Sequence, residues 1–103
     1  MKTMTKKTDE RAVVICTAKR GVFFGYTAQS NASMIGQTAT LQRARMCTYW
    51  SVETHGVMGL AGLGPQCGSK IGPRIPELTC NEVTAIMVCD PKAIEAWEAG
   101  TWT

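Results

Sequence analysis

Acidic residues are scarce over most of this chain. Glu53 is the only one between Glu10 and Glu77, and His55 is the only histidine. Five cysteines (Cys16, Cys47, Cys67, Cys80 and Cys89) include no C-x-x-C pair. No apolar run approaches the ~18 residues that a membrane helix needs. Each absence argues against a class of function. Paired-carboxylate catalysis has almost no groups to draw on. A thiol or hydroxyl nucleophile needs a base within hydrogen-bond reach. The one imidazole sits in the connection "SVETHG", eight residues after Cys47, and reads as a solvent-exposed turn. "GLGPQCGSK" ends in a lysine as phosphate loops do, but Pro65 and the lack of a following helix spoil the comparison. A zinc site takes four ligands at short spacing, and none is present. No enzymatic activity, no cofactor, no metal and no membrane span are expected.

What is there reads as one small globular domain. The 103 residues are 45 % hydrophobic and 18 % charged, a composition that folds rather than stays disordered. The basic start "MKTMTKKTDE", residues 1–10, reads as a flexible tail, with residues 11–103 as a single β-rich domain. No apolar segment of signal type follows it. With an odd number of scattered cysteines, this predicts reduced thiols and a cytoplasmic location. Charge is unevenly placed: residues 1–76 hold ten Lys/Arg against three Asp/Glu, and residues 77–103 hold one lysine against five acids. Such asymmetry fits anion binding by the basic part, or basic-to-acidic packing within or between subunits. A homo-oligomer is expected on that ground and from the apolar loop residues described below.

Along the chain, "RAVVICT" and "GVFFGYT" read as two strands joined by a glycine turn. In the second, Val22, Phe24 and Tyr26 share one face, and Gly25 marks a bend or a close backbone approach. "AQSNASMIGQ" reads as a loop. "TATLQ" and "RARMCTYW" follow as strand segments with a kink or bulge near Gln42-Arg43. Residues 56–76 contain six of the ten glycines and three of the four prolines. They predict a short strand at 56–61 and then a long ordered loop, not a helix. "ELTCNEVTAIMVCD" reads as a central strand covered on both sides. "DPKAIEAWEAG" has a capping aspartate, a proline at the first helical position and a glycine stop, so a helix is predicted near 91–99. Trp102 beyond it is expected to cover one end of the sheet. The fold class is mainly β (α+β): a small SH3-like or Sm-like antiparallel barrel with a short C-terminal helix.

Two segments are candidates for binding. If "RARMCTYW" is regular, Arg43, Arg45, Cys47 and Tyr49 share one outward, cationic face. Ala44, Met46, Thr48 and Trp50 then fill the core. Arginine forks suit phosphate, and a tyrosine suits a base. On this reading Arg45→Ala or Tyr49→Ala weakens binding without unfolding the domain. The glycine-rich segment exposes backbone N–H groups, with Lys70 and Arg74 as its charges. Its Leu60, Leu63, Ile71 and Ile75 are too apolar for a free loop and call for burial in the body or in an oligomer interface. The site expected is therefore Arg43, Arg45, Tyr49, Lys70 and Arg74. The plainer alternative is solubilising arginines and a loop that closes the barrel.

The pieces "RAVVICTAKRGVFFGY", "ARMCTYW", "HGVMGLAGLGP", "KIGPRIPEL" and "VTAIMVCDPKAIEAWEAG" resemble a family of short phage- and prophage-encoded proteins that form a domain of unknown function. The resemblance implies provenance and a place in the host bacterial cytoplasm. It assigns no site residue. Together these readings predict a non-enzymatic phage accessory protein that binds an anionic small molecule or a host protein, for example by sequestering a nucleotide-type defence signal. A small-barrel nucleic-acid binder and a minor virion or assembly component are the alternatives.

Overall fold

The computed structural model describes residues 10–18 and 21–100. Most of the basic tail, the Lys19-Arg20 turn and Trp102 lie outside the described residues. Six strands and three helices follow in order. They are β1 (Arg11–Thr17), β2 (Val22–Thr27), α1 (Asn31–Met34), β3 (Ala39–Tyr49), α2 (Gly56–Gly62), β4 (Lys70–Ile71), β5 (Ile75–Cys80), β6 (Val83–Val88) and α3 (Pro91–Ala99). A 3-10 turn at Val52–Thr54 precedes α2.

The strands form one antiparallel sheet in the order β4-β3-β2-β1-β6, with β5 pairing the first half of β3. The sheet is not closed into a barrel: among the described residues no ladder joins β5 to β6. It must nevertheless curl, because only Asn81 and Glu82 link these two strands on opposite edges. Residues 77–90 therefore do not form a central strand. They supply an edge strand on each side of the sheet, with a sharp reversal at Glu82, whose φ is +56°.

Alternation along the strands splits the core in two. One face carries Val13, Ile15, Leu41 and Ala44, closed over by Met34 and Val83. The other carries Val14, Val22, Phe24, Cys47 and Ile71, covered by Leu60 and Ala61 of α2 and by Ala93 and Trp97 of α3. As expected, Val22, Phe24 and Tyr26 share that second core. The Trp97 ring lies flat on Phe24, with centroids 4.9 Å apart. Its indole N–H donates to the carbonyl of Leu60 at 2.9 Å, so the buried polar edge is satisfied.

Helix α3 forms as predicted. The Asp90 carboxylate accepts from the Lys92 amide, and Pro91 opens the first turn. Gly100 ends it in extended backbone and packs close to the Ile71 side chain. Two local expectations are corrected. The loop at 28–37 contains the single turn α1, capped by Ser30. Residues 56–62 form a helix instead of a strand. Glycine is a poor helix former, but here tertiary packing requires it. A Cβ on Gly59 would sit 1.5 Å from the Thr54 carbonyl oxygen. Only a glycine helix can lie this close to the turn before it while burying Leu60 and Ala61.

Candidate functional site

The bulge expected near Gln42-Arg43 decides where the candidate residues point. β3 pairs Phe24 with Arg45 and Tyr26 with Gln42, so β3 carries one extra residue opposite Gly25. Arg43 takes the strain, with φ at +50°. Gly25 allows the close approach: a Cβ there would meet Leu41 Cβ at 2.7 Å.

Ala44 is buried, Tyr49 is exposed and Trp50 packs against the second core, as expected, but between them core and surface are reversed. Arg45 and Cys47 turn inward beneath the helices, while Met46 and Thr48 are exposed. Arg45 is 6 % exposed. Its Nε donates to the Gly72 carbonyl at 2.9 Å, and one terminal nitrogen donates to the carbonyls of Trp97 and Gly100 at 2.7 and 2.8 Å. It thus caps the C-terminal end of α3, where carbonyls lack helical partners and a cation is favoured. Arg45 does not share an outward face with Arg43.

Arg43 remains at the surface. It pairs with Glu10 at 2.6 Å, and its guanidinium lies 4.4 Å from the centre of the Tyr26 ring. The Tyr26 hydroxyl donates to Glu98, which also holds Arg74. Arg43 and Arg74 are therefore brought into one chain, Glu10–Arg43–Tyr26–Glu98–Arg74, in which each arginine has a carboxylate. Burial, then the hydrogen bond and charge of Glu98, push the Tyr26 phenol up to about 12.

Tyr49 and Lys70 fall elsewhere, opposite each other across the β3–β4 pair, and both are exposed. Lys70 lines a cleft of about 520 Å³ together with Pro65, Gln66, Ser69, Ile71 and Gly100. Among the described residues its lining contains one cation and no carboxylate or imidazole. Hydrogen bonds from the buried Thr54 and Arg45 side chains fix the two walls. On one side Thr54, fully buried, accepts from the Gln66 amide at 3.1 Å and lies 3.2 Å from the Ser69 hydroxyl. Ser69 in turn accepts from the Ser51 amide at 3.0 Å. On the other side Arg45 holds Gly100. Sequence reading missed Ser51, Thr54, Gln66 and Ser69. The available signal was small hydroxyl residues on both sides of a glycine-rich helix, too common a pattern to single them out.

His55 is exposed and left-handed, with φ at +66°, as a turn residue. The Cys47 thiol is buried and donates to the Tyr49 carbonyl, and burial pushes it up. No helix among the described residues is long and apolar enough to cross a membrane.

No curated protein and no solved structure matches the chain. A family model does, over residues 10–97, which takes in every strand and nearly all of α3. The chain therefore belongs to the family described as a domain of unknown function, DUF6948.

Proposed function

We propose that this protein is a non-enzymatic binding module whose ligand is a small anion of nucleotide type, held in the cleft between the Pro65–Ser69 loop and Gly100. The observation that carries this reading is a cleft whose walls are each fixed by buried polar groups and whose one charged lining residue, among those described, is Lys70. Preorganised walls lower the ordering cost of binding. Lys70 supplies the charge, the Cys67 and Gly68 amides are the loop donors not used by Thr54 or Gln66, and Tyr49 stands beside Lys70 with an exposed ring for stacking. A nucleic-acid track is less well supported, because two of the arginines that would follow a backbone are each paired with a carboxylate. With its resemblance to phage and prophage proteins, the module would act in the bacterial host cytoplasm by sequestering a nucleotide-type signal.

Calorimetry against a panel of cyclic nucleotides and short oligonucleotides tests this. At least one member should bind, with Lys70→Ala and Tyr49→Ala each weakening it about tenfold, the size of one charged hydrogen bond or one stacked base. Both side chains are exposed, so neither change should lower stability by much. Absence of heat with every member of the panel overturns the nucleotide reading.

A further inference from the structure

The two outer edges of the sheet are built differently. Pro76 lies inside β5 and has no N–H to donate, and a proline within a strand is found where that group would face away from the sheet. A proline there blunts an edge against further pairing. β6 reads "VTAIMV", with neither proline nor charge. Its inner side is engaged with β1: Cys89 donates to the Ala12 carbonyl at 3.0 Å, in register with Val14↔Met87 and Cys16↔Ala85. Alternation then turns the N–H and C=O groups of Ile86 and Val88 away from β1. At the start of the strand Val83 is covered by the Gly36-Gln37 segment. No described residue pairs with the outer side of Ile86 or Val88, and the Val88 side chain is 58 % exposed.

We infer that β6 pairs with β6 of a second copy of this chain, antiparallel about a two-fold axis at Met87. This register sets Ile86 against Val88 of the copy on both sides of the axis. Each of these pairs closes two backbone hydrogen bonds, so all four outward groups on each strand are used. Met87 meets Met87, and the exposed Val88 is covered by an isoleucine. Charge selects the same register. A shift that centred the axis on Ile86 would put Glu82 opposite Asp90, two like charges face to face. Centred on Met87, the strand sets Thr84 there instead. The two sheets then run on as one, with Pro76 stopping growth at the far edges, so the assembly closes at two copies.

Light scattering and amide hydrogen exchange on the full chain test this together. The mass should be twice 11.2 kDa. The Ile86 and Val88 amides should be protected in the dimer and lose protection on dilution. Val88→Pro removes one outward N–H, and Val88→Lys places a charge on the edge. Both should give a monomer with unchanged far-UV circular dichroism, and the lysine variant decides the matter if the proline one fails to fold. A wild-type monomer at millimolar concentration, rapid exchange at both amides in a dimer, or a dimer that survives Val88→Lys each overturns the inference.

Discussion

Arg43 and Arg45 are two residues apart on one strand, yet they have opposite roles. Arg45 is buried, with its donors directed at three main-chain carbonyls from the β4–β5 link and the end of α3. Arg43 lies on the surface, pairs with one carboxylate and rests on one ring. Both lie on the helix-covered side of the sheet: Arg43 rests on Tyr26, and Arg45 is paired with Phe24, the neighbour of Tyr26 in that core. What differs is the cover. The end of α3 and the β4–β5 link close over Arg45, whereas Arg43 is left exposed. Chemistry read from residue type therefore depends on what packs over a strand as well as on its alternation.

The largest effect should come from Arg45. Arg45→Ala leaves buried carbonyls without donors, and urea denaturation should show a loss of about 3–5 kcal/mol. That is a large part of the ~5–15 kcal/mol that typically holds a domain folded. Arg45→Lys keeps the charge but not the planar fork, and should fall between the two. This replaces the expectation that Arg45→Ala spares the fold. If Arg45→Ala changes stability by less than ~0.5 kcal/mol, the usual range of a surface substitution, the contrast with Arg43 fails.

Arg43 sharpens the comparison through its backbone. A left-handed residue with a side chain costs roughly 1–2 kcal/mol. Arg43→Gly relieves that cost but gives up an exposed ion pair and a cation–π contact, each worth about 0.5–1 kcal/mol. The two effects nearly cancel, and stability should stay within ~1 kcal/mol of wild type. Arg43→Val loses the same contacts and cannot take the left-handed conformation without strain, so it should lose about 1–3 kcal/mol. Equal values for the glycine and valine variants would mean that Arg43 does not carry the bulge.

Local signals made the regular parts of this fold legible. β-branched runs marked β1 and β2, and Asp90-Pro91 with Gly100 marked α3. Gln42-Arg43 was recognisable as a kink because alternation breaks there. The direction of the break was not, since it depends on how β3 meets β2 at Gly25. Helix α2 was hidden for a related reason. Its glycines argue against a helix locally, whereas Gly59 is demanded by the Thr54 carbonyl, a contact made only in the folded chain. The strand at 77–90 was misplaced because two edge strands joined by two residues read like one buried strand. Of the expected site residues, Lys70 and Tyr49 come together on the β3–β4 pair, and Arg43 and Arg74 join through Tyr26 and Glu98. Arg45 has a structural part that no spacing rule would reveal.

The smallest predicted effect concerns the chain that keeps Arg43 at the surface. Burial is the main cause that pushes the Tyr26 phenol up to about 12, followed by its hydrogen bond to Glu98 and the charge of that carboxylate. In the unfolded chain a tyrosine titrates near ~10. Between these values the unfolded state has released a proton that the folded state still holds, so stability falls as pH rises. The contribution is complete below about pH 10 and is lost as pH rises through about 12. Ultraviolet titration of the native protein should show a late phenolate step near 12 that is absent in Tyr26→Phe. Chemical denaturation across the same range should fall less steeply for that variant. Arg43 and Arg74 pull the phenol the other way, so replacing Arg43 with glycine should move the late step upward. A downward move would mean that the guanidinium above the ring does not act on it through charge, and that Arg43 is held at the surface by the bulge and Glu10 alone.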